Sequence, residues 1–90
     1  MDRGAQPHGF QFPGRFELSA MGAADAGLER RVPEVLTAAG VTVDPDSIRV
    51  RPSRHGRYVS VSVSFWAESR DQHSAAYAAL RALAEVKWTL

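Results

Sequence analysis

The residues best suited to do chemistry are arginines clustered around a short Gly-containing segment. Arg49, Arg51, Arg54 and Arg57 fall within nine positions, and His55-Gly56 lies between the last two. Arginine side chains match carboxylates and phosphates in bidentate geometry, so the cluster predicts a site for a carboxylate, a phosphate or nucleic acid. The structural alternative is that outward charges keep an edge strand from pairing with other chains.

Within this segment we predict a ligand site formed by Arg51, Ser53, Arg57 and Tyr58. Ser53 can donate or accept a hydrogen bond, and His55-Gly56 signals a tight turn directly after it. The purely structural interpretation is turn chemistry alone, because Ser and Gly are common turn formers.

Serine and apolar residues alternate strictly after the turn. A period of two predicts a strand with one packed face and one wet face. On the wet side we predict an interaction face made of Ser60, Ser62, Ser64 and Trp66. Aromatic residues are enriched in interface cores, and short hydroxyl side chains let another surface approach closely. The alternative is a solvated surface whose aromatic residues lie partly beneath the N-terminal tail.

Patterns typical of enzymes or metal sites are missing from the sequence. No histidine pair has metal-ligand spacing, and the chain has no cysteine. No nucleophile with a matching base, no Gly-rich phosphate loop and no paired-carboxylate site can be identified. We therefore predict no catalytic residues, no metal, no cofactor and no enzymatic activity.

Length and composition describe one ordinary globular domain of 90 residues, 44% of them apolar and 23% charged. A formal charge of +1 provides no general attraction to nucleic acid or to an anionic membrane. No run approaches the ~20 apolar residues that span a bilayer, and the N-terminus does not resemble a signal peptide. We expect a cytoplasmic protein without membrane attachment.

The apolar periodicity predicts six elements behind a flexible tail at residues 1–11. Residues 12–90 form one domain, with strands at 15–21, 48–51, 58–67 and 86–90 and helices at 24–39 and 69–83. The order βαββαβ predicts an α+β, ferredoxin-like fold, with a four-stranded antiparallel sheet in the order 4-1-3-2. Right-handed crossovers place both helices on one face, so the serine side of the third strand is open.

Two local features complete this prediction. Pro33 either kinks the first helix or stands in its first turn, and the apolar phase held by Leu28 and Val32 favours a kink. In the last strand, Val86, Trp88 and Leu90 alternate with polar residues, which predicts that these three share one side.

The chain resembles the YbeD-like family of small bacterial proteins of unknown function. The resemblance covers residues 12–90, and its most specific part is the pattern Pro-Ser-x-x-Gly-x-Tyr-x-Ser-Val at 52–61. The other matching residues are Phe12, Pro13, Phe16, Gly22, Arg51, Gln72, Tyr77, Leu80, Leu83, Val86 and Leu90. The resemblance implies a fold similar to ACT-type regulatory domains, which sense small metabolites on metabolic enzymes. It also implies a link to lipoate metabolism through the family's label, and it supplies no catalytic residues.

Together these features predict a small regulatory or protein-interaction domain of ACT-like type. It would act through the open sheet face or a strand edge, and sense a small anionic metabolite near Arg51, Ser53 and Arg57. The ACT analogy implies a homodimer with side-by-side sheets. The alternative is an RNA-binding module that uses the Arg-rich hairpin. The third strand does not favour it, because Tyr58 is followed on its own side by serines and not by a second stacking residue.

Overall fold

The computed structural model describes residues 11–89. The predicted tail at 1–11, Gln11 apart, lies outside these residues, as does Leu90. The elements are β1 (Gly14–Ala23), α1 (Leu28–Ala38), β2 (Thr42–Val43), β3 (Arg49–Pro52), β4 (Tyr58–Ala67), α2 (Arg70–Arg81) and β5 (Val86–Thr89). A 3-10 turn at Pro45–Ser47 separates β2 from β3.

The described strands form one antiparallel sheet that runs β2-β4-β1-β5, with β3 also paired to β4. β1 and β4 pair along all ten residues of each strand. The predicted α+β class, antiparallel sheet and two helices are confirmed. The predicted four strands in the order 4-1-3-2 need correction, because the single edge strand expected beside β4 is two short strands.

The Asp44–Ser47 segment explains why this edge is divided. Pro45 cannot donate a backbone hydrogen bond to a sheet, and Asp44 caps the 3-10 turn by accepting from the Asp46 amide at 3.0 Å. The hydroxyl of Ser47 accepts from the amide of Ser64 at 2.8 Å. The Ser47 side chain therefore supplies a hydrogen-bond partner for the backbone of β4 at the point where the backbone of the edge strand turns away.

Both helices pack on the valine side of the sheet, as predicted. Leu28, Val32 and Leu36 of α1 are fully buried, as are Ala76 and Leu80 of α2. They join one core with the inward residues of the two long strands, which include Leu18, Ala20, Val59, Val61, Val63, Phe65 and Ala67. The serines of β4 face away from this core and are half-buried.

Pro33 lies inside α1 and not in its first turn, so the option that the helix begins at Pro33 is wrong. The helix also begins four residues later than predicted, at Leu28. The cause is Gly27, whose backbone is left-handed with φ of 71° and therefore cannot belong to the helix.

In the part of the chain that is described, neither helix has the length and apolar character needed to cross a membrane.

Candidate binding surface on the open side of the sheet

The side of the sheet opposite the helices is called the open face here, and strand register defines its members. On β4 they are Tyr58, Ser60, Ser62, Ser64 and Trp66. Residues directly opposite these on neighbouring strands share their side of the sheet. The neighbours are Arg15, Glu17, Ser19 and Met21 on β1, Arg49 and Arg51 on β3, Thr42 on β2, and Trp88 on β5 by way of Met21.

Four of these residues stand in one line across four strands. Trp88 is opposite Met21, Met21 is opposite Ser60, and Ser60 is opposite Arg51. We call this line the Trp88–Arg51 row. It begins with an aromatic ring and ends with a cation, and a hydroxyl lies between them.

A β-bulge brings Trp88 to the open face. Val86 is opposite Gly22, whereas Trp88 is opposite Met21, so Lys87 is an extra residue in β5. One extra residue reverses the alternation of side chains. Val86 therefore packs against the core, while Trp88 is 57% exposed on the other side. The prediction that Trp88 and Val86 share one side is wrong for this reason.

Gly22 makes this arrangement possible. A Cβ atom at position 22 would collide with the carbonyl oxygen of Glu85 and would stand 2.8 Å from Cδ1 of Leu28. The chain that enters β5 therefore passes directly against the backbone of Gly22. β1 continues through Gly22 to Ala23, two residues beyond the predicted end of the first strand at residue 21. A glycine inside a strand often marks such a close approach, and this was the available signal for the bulge.

Trp88 and Tyr58 form an aromatic pair on the open face. Their ring centroids are 6.0 Å apart, and the rings are inclined at 71°. Beside them is a depression of about 270 Å³, lined by Ser19, Ala20, Met21, Ser60 and Trp88. Its lining is almost entirely apolar. Trp88 and Met21 were missed by the sequence analysis as members of this surface.

The predicted ligand residues lie along the β3–β4 hairpin. Ser53 closes the turn, because its hydroxyl accepts from the Tyr58 amide at 3.1 Å and its amide donates to the Tyr58 carbonyl at 2.8 Å. Gly56 has φ of 74°, as its turn position requires. Arg57 is exposed at the turn, and Arg51 is exposed on the open face next to Ser60.

The arginines of the hairpin carry charge that no acidic side chain of residues 11–89 neutralises by direct contact. The ion pairs found there are Arg15 with Asp44 at 2.7 Å and Arg31 with Glu85 at 3.0 Å. The Arg15 guanidinium, together with the Asp46 amide, lowers the pKa of Asp44. The hairpin therefore remains a cationic edge beside the open face.

The predicted interaction face is continuous but not uniform. Ser62 and Ser19 share a hydrogen bond of 2.7 Å between their hydroxyls at the centre of the face. Trp66 lies at the end remote from the hairpin, and its indole NH donates to Glu68 at 2.7 Å. Tyr58, Ser60 and Arg51 come together with Trp88 and Met21, whereas Trp66 stands apart from them.

His73 belongs to an aromatic cluster on the helix side of the sheet. Its ring centroid is 4.7 Å from that of Phe16 and 4.9 Å from that of Tyr77. Burial, and secondarily the charge of Arg70, lowers the pKa of His73. Burial raises the pKa of Tyr77. No group of three metal-ligating side chains occurs within residues 11–89.

Comparison with known proteins places this geometry in a family. Residues 7–90 match the family model described as "Protein of unknown function (DUF493)", and the chain belongs to that family. It is 58% identical over 83 residues to a UPF0250 protein of Xanthomonas oryzae pv. oryzae, covering 92% of this chain and 90% of the relative. The UPF0250 protein of Xylella fastidiosa is 51% identical over the same shares of the two chains.

Two solved structures share the fold. The solution structure of a protein from H. pylori has a TM-score of 0.73 at 13% identity, covering 100% of this chain and 94% of the other. The ACT domain from the GTP pyrophosphokinase of Chlorobium tepidum has a TM-score of 0.66 at 10% identity, covering 84% and 94%. The resemblance to a small bacterial family with an ACT-like fold is thereby confirmed.

Proposed function

We propose that this protein is a small, non-catalytic regulatory domain that acts in the cytoplasm. Its open face recognises a partner protein, and its Arg-rich hairpin holds a small anionic metabolite near Arg51, Ser53, Arg57 and Tyr58. ACT-type domains are regulatory modules, and the ACT-like fold supports this class of function. The link to lipoate metabolism remains a prediction from the family resemblance.

One observation carries the proposal: an accessible sheet face adjoins a cluster of cations that have no acidic partner within residues 11–89. The open face presents two partly exposed aromatic side chains beside the hairpin, Tyr58 at 39% and Trp88 at 57%. Exposed aromatic residues are typical of interface cores, and arginine is enriched with them. This surface therefore offers both apolar contact and recognition of negative charge.

Affinity purification from the native host, followed by mass spectrometry of bound proteins and metabolites, tests the proposal. The test protein is Arg51→Ala with Arg57→Ala, and the matched control is Arg30→Ala with Arg81→Ala. Arg30 and Arg81 are exposed on the helices, so the control removes the same charge from the other side of the molecule. We expect the first variant to lose its bound species and the control to retain them. Equal retention by both would contradict the proposal.

RNA binding is the second candidate function, because the open face contains the aromatic pair of Tyr58 and Trp88. Single-stranded RNA is commonly held by aromatic side chains on a sheet and by nearby arginines. This candidate predicts affinity for mixed RNA that falls steeply with salt and drops in Arg51→Ala with Arg57→Ala. Lack of binding at low salt would eliminate it.

A homodimer with side-by-side sheets is also proposed, from the ACT analogy. Sedimentation at micromolar concentration tests it directly. A dimer is the expected result, and a monomer at every concentration would contradict it.

A further inference from the structure

The Trp88–Arg51 row presents three kinds of group in a fixed order. Trp88 supplies an aromatic surface, Ser60 a hydroxyl, and Arg51 a cation. Neighbouring strands are about 4.8 Å apart, so the backbone of Arg51 is about 10 Å from that of Met21. A nucleotide has a matching order, because a flat base, a sugar with hydroxyls and a phosphate follow one another.

We propose that the Trp88–Arg51 row binds a mononucleotide, with the base against Trp88 and the phosphate at Arg51. This inference rests on the proposed function, since it names the chemical class of the anionic ligand held beside the hairpin. It also places the ligand across the sheet and not only at the hairpin turn.

The base is assigned to the depression next to the aromatic pair. Every nucleobase has a flat π face that stacks on tryptophan, and Trp88 is the most exposed large apolar side chain described. The volume of about 270 Å³ is just below the ~300 Å³ at which sites for small molecules begin. The depression therefore holds a ring system, while the sugar and phosphate must extend beyond it toward β4 and β3.

The phosphate is assigned to Arg51 because charge is complementary at that end of the row. Arginine pairs with phosphate in bidentate geometry, and Arg49 is a second cation one row away, opposite Ser62. Glu17 is the acidic residue of the open face among the described strands, and it lies opposite Ser64, two rows from Ser60. Among residues 11–89, no carboxylate of the open face therefore competes with a phosphate beside Arg51.

The spacing of aromatic residues on the open face favours binding of a single nucleotide over binding of a nucleic-acid strand. Trp66 is six residues from Ser60 along β4, which is about 20 Å in an extended strand. Ser62 and Ser64 are the open-face residues of β4 between them. A second consecutive base placed toward Trp66 would find no aromatic side chain of β4 in this interval.

Fluorescence titration tests the site directly. In Trp66→Phe, Trp88 is the sole tryptophan and reports on its own surroundings. The titrants are AMP, GMP, CMP and UMP, each compared with its nucleoside, with ribose 5-phosphate and with inorganic phosphate. We expect at least one nucleotide to quench Trp88 and to bind at least tenfold more tightly than every fragment of it.

Substitution of the cation separates the two ends of the row. Arg51→Ala should weaken nucleotide binding at least tenfold and leave nucleoside binding unchanged. Arg81→Ala on α2 should bind both ligands as tightly as the protein without either arginine substitution. Loss of nucleoside binding as well, or no loss of nucleotide binding, would contradict the assignment of the phosphate to Arg51. A nucleotide that binds no more tightly than inorganic phosphate would overturn the inference.

Two further results would also overturn it; the first favours the RNA candidate, and the second leaves the proposed function standing. The first is an oligonucleotide that binds more than tenfold more tightly than any monomer. The second is a combination of two findings. The parent protein binds none of the nucleotides, and Arg51→Ala with Arg57→Ala still abolishes capture of the partner or metabolite that the parent purifies. If the double variant retains its purified partners and metabolites, while the parent binds a nucleotide and Arg51→Ala weakens that binding at least tenfold, the broader proposal fails and the nucleotide site remains.

Discussion

The two faces of β4 are built from the same stretch of chain but by different physical demands. Phe65 and Trp66 are adjacent in sequence, yet Phe65 is 1% exposed and Trp66 is 42% exposed. The covered face is apolar and pressed against both helices, and its residues must fill a fixed volume. The open face carries hydroxyls, aromatic rings and arginines, and its residues have room to meet a ligand.

This difference shows where stability and function are located in a small domain. On the covered face the choice of residue is limited by packing, so substitutions should cost folding free energy. On the open face the choice is limited less by packing, so substitutions should alter binding more than folding. The following variants test this separation in order of expected effect.

The adjacent aromatic residues give the largest contrast. Phe65→Ala should lower the free energy of unfolding by about 3–5 kcal/mol, because it leaves a cavity in the core. Trp66→Ala should lower it by less than about 1 kcal/mol, as expected of a partly exposed surface residue. Urea denaturation measures both. Similar losses for the two variants would contradict the assignment of the faces.

Gly22→Ala tests the close approach that supports the bulge. The new methyl group would meet the Glu85 carbonyl oxygen and Leu28, so we expect a loss of about 1–3 kcal/mol or more. Gly40→Ala is the control, because a Cβ at Gly40 meets no atom within 4 Å and only its φ of 107° is strained. Thermal unfolding compares the two, and an equal or smaller effect at Gly22 would count against this geometry.

Ser62→Ala removes the hydroxyl pair at the centre of the open face. Loss of the 2.7 Å contact with Ser19 should cost about 0.5–1.5 kcal/mol of folding free energy. Ser64→Ala is the matched control on the same strand face. Chemical denaturation should separate them, and identical stability of both variants and the parent would show that the Ser19–Ser62 bond contributes nothing.

The smallest expected effect depends on pH and belongs to the covered side. Because the pKa of His73 is lowered in the folded protein, the unfolded chain takes up the proton first as pH falls. Stability should therefore decrease as pH falls below the ordinary histidine pKa of 6.5, and this loss should level off below the lowered value. His73→Phe should remove this component, and His55→Gln at the exposed turn should retain it. Urea midpoints from pH 8 to 5 measure the difference, and an unchanged profile in His73→Phe would contradict it.

Much of the covered face and of the two long strands could be predicted from the sequence. Strict alternation from Val59 to Phe65 is enough to assign the two sides of β4, because a period of two has no other simple structural meaning. These features depend on local pattern, which a single sequence contains.

The remaining features depend on contacts between distant parts of the chain. Trp88 lies on the side of the sheet opposite to Val86 because β5 contains one extra residue. That residue is accommodated next to Gly22, which precedes Trp88 by 66 positions. The predicted edge strand is two short strands, because the Ser47 hydroxyl takes the place of a backbone acceptor for the Ser64 amide. Neither pairing is visible in local periodicity, although Gly22 and Pro45 were indications that the strands were irregular.

Site-specific photo-cross-linking in the native host tests most directly whether the open face is the working surface. A photoreactive aromatic amino acid replaces Trp88 in one protein and Ala78, exposed on α2, in another. We predict cross-linked partners from position 88 and none from position 78. Equal capture from both positions, or capture from position 78 alone, would contradict a functional role for the open face.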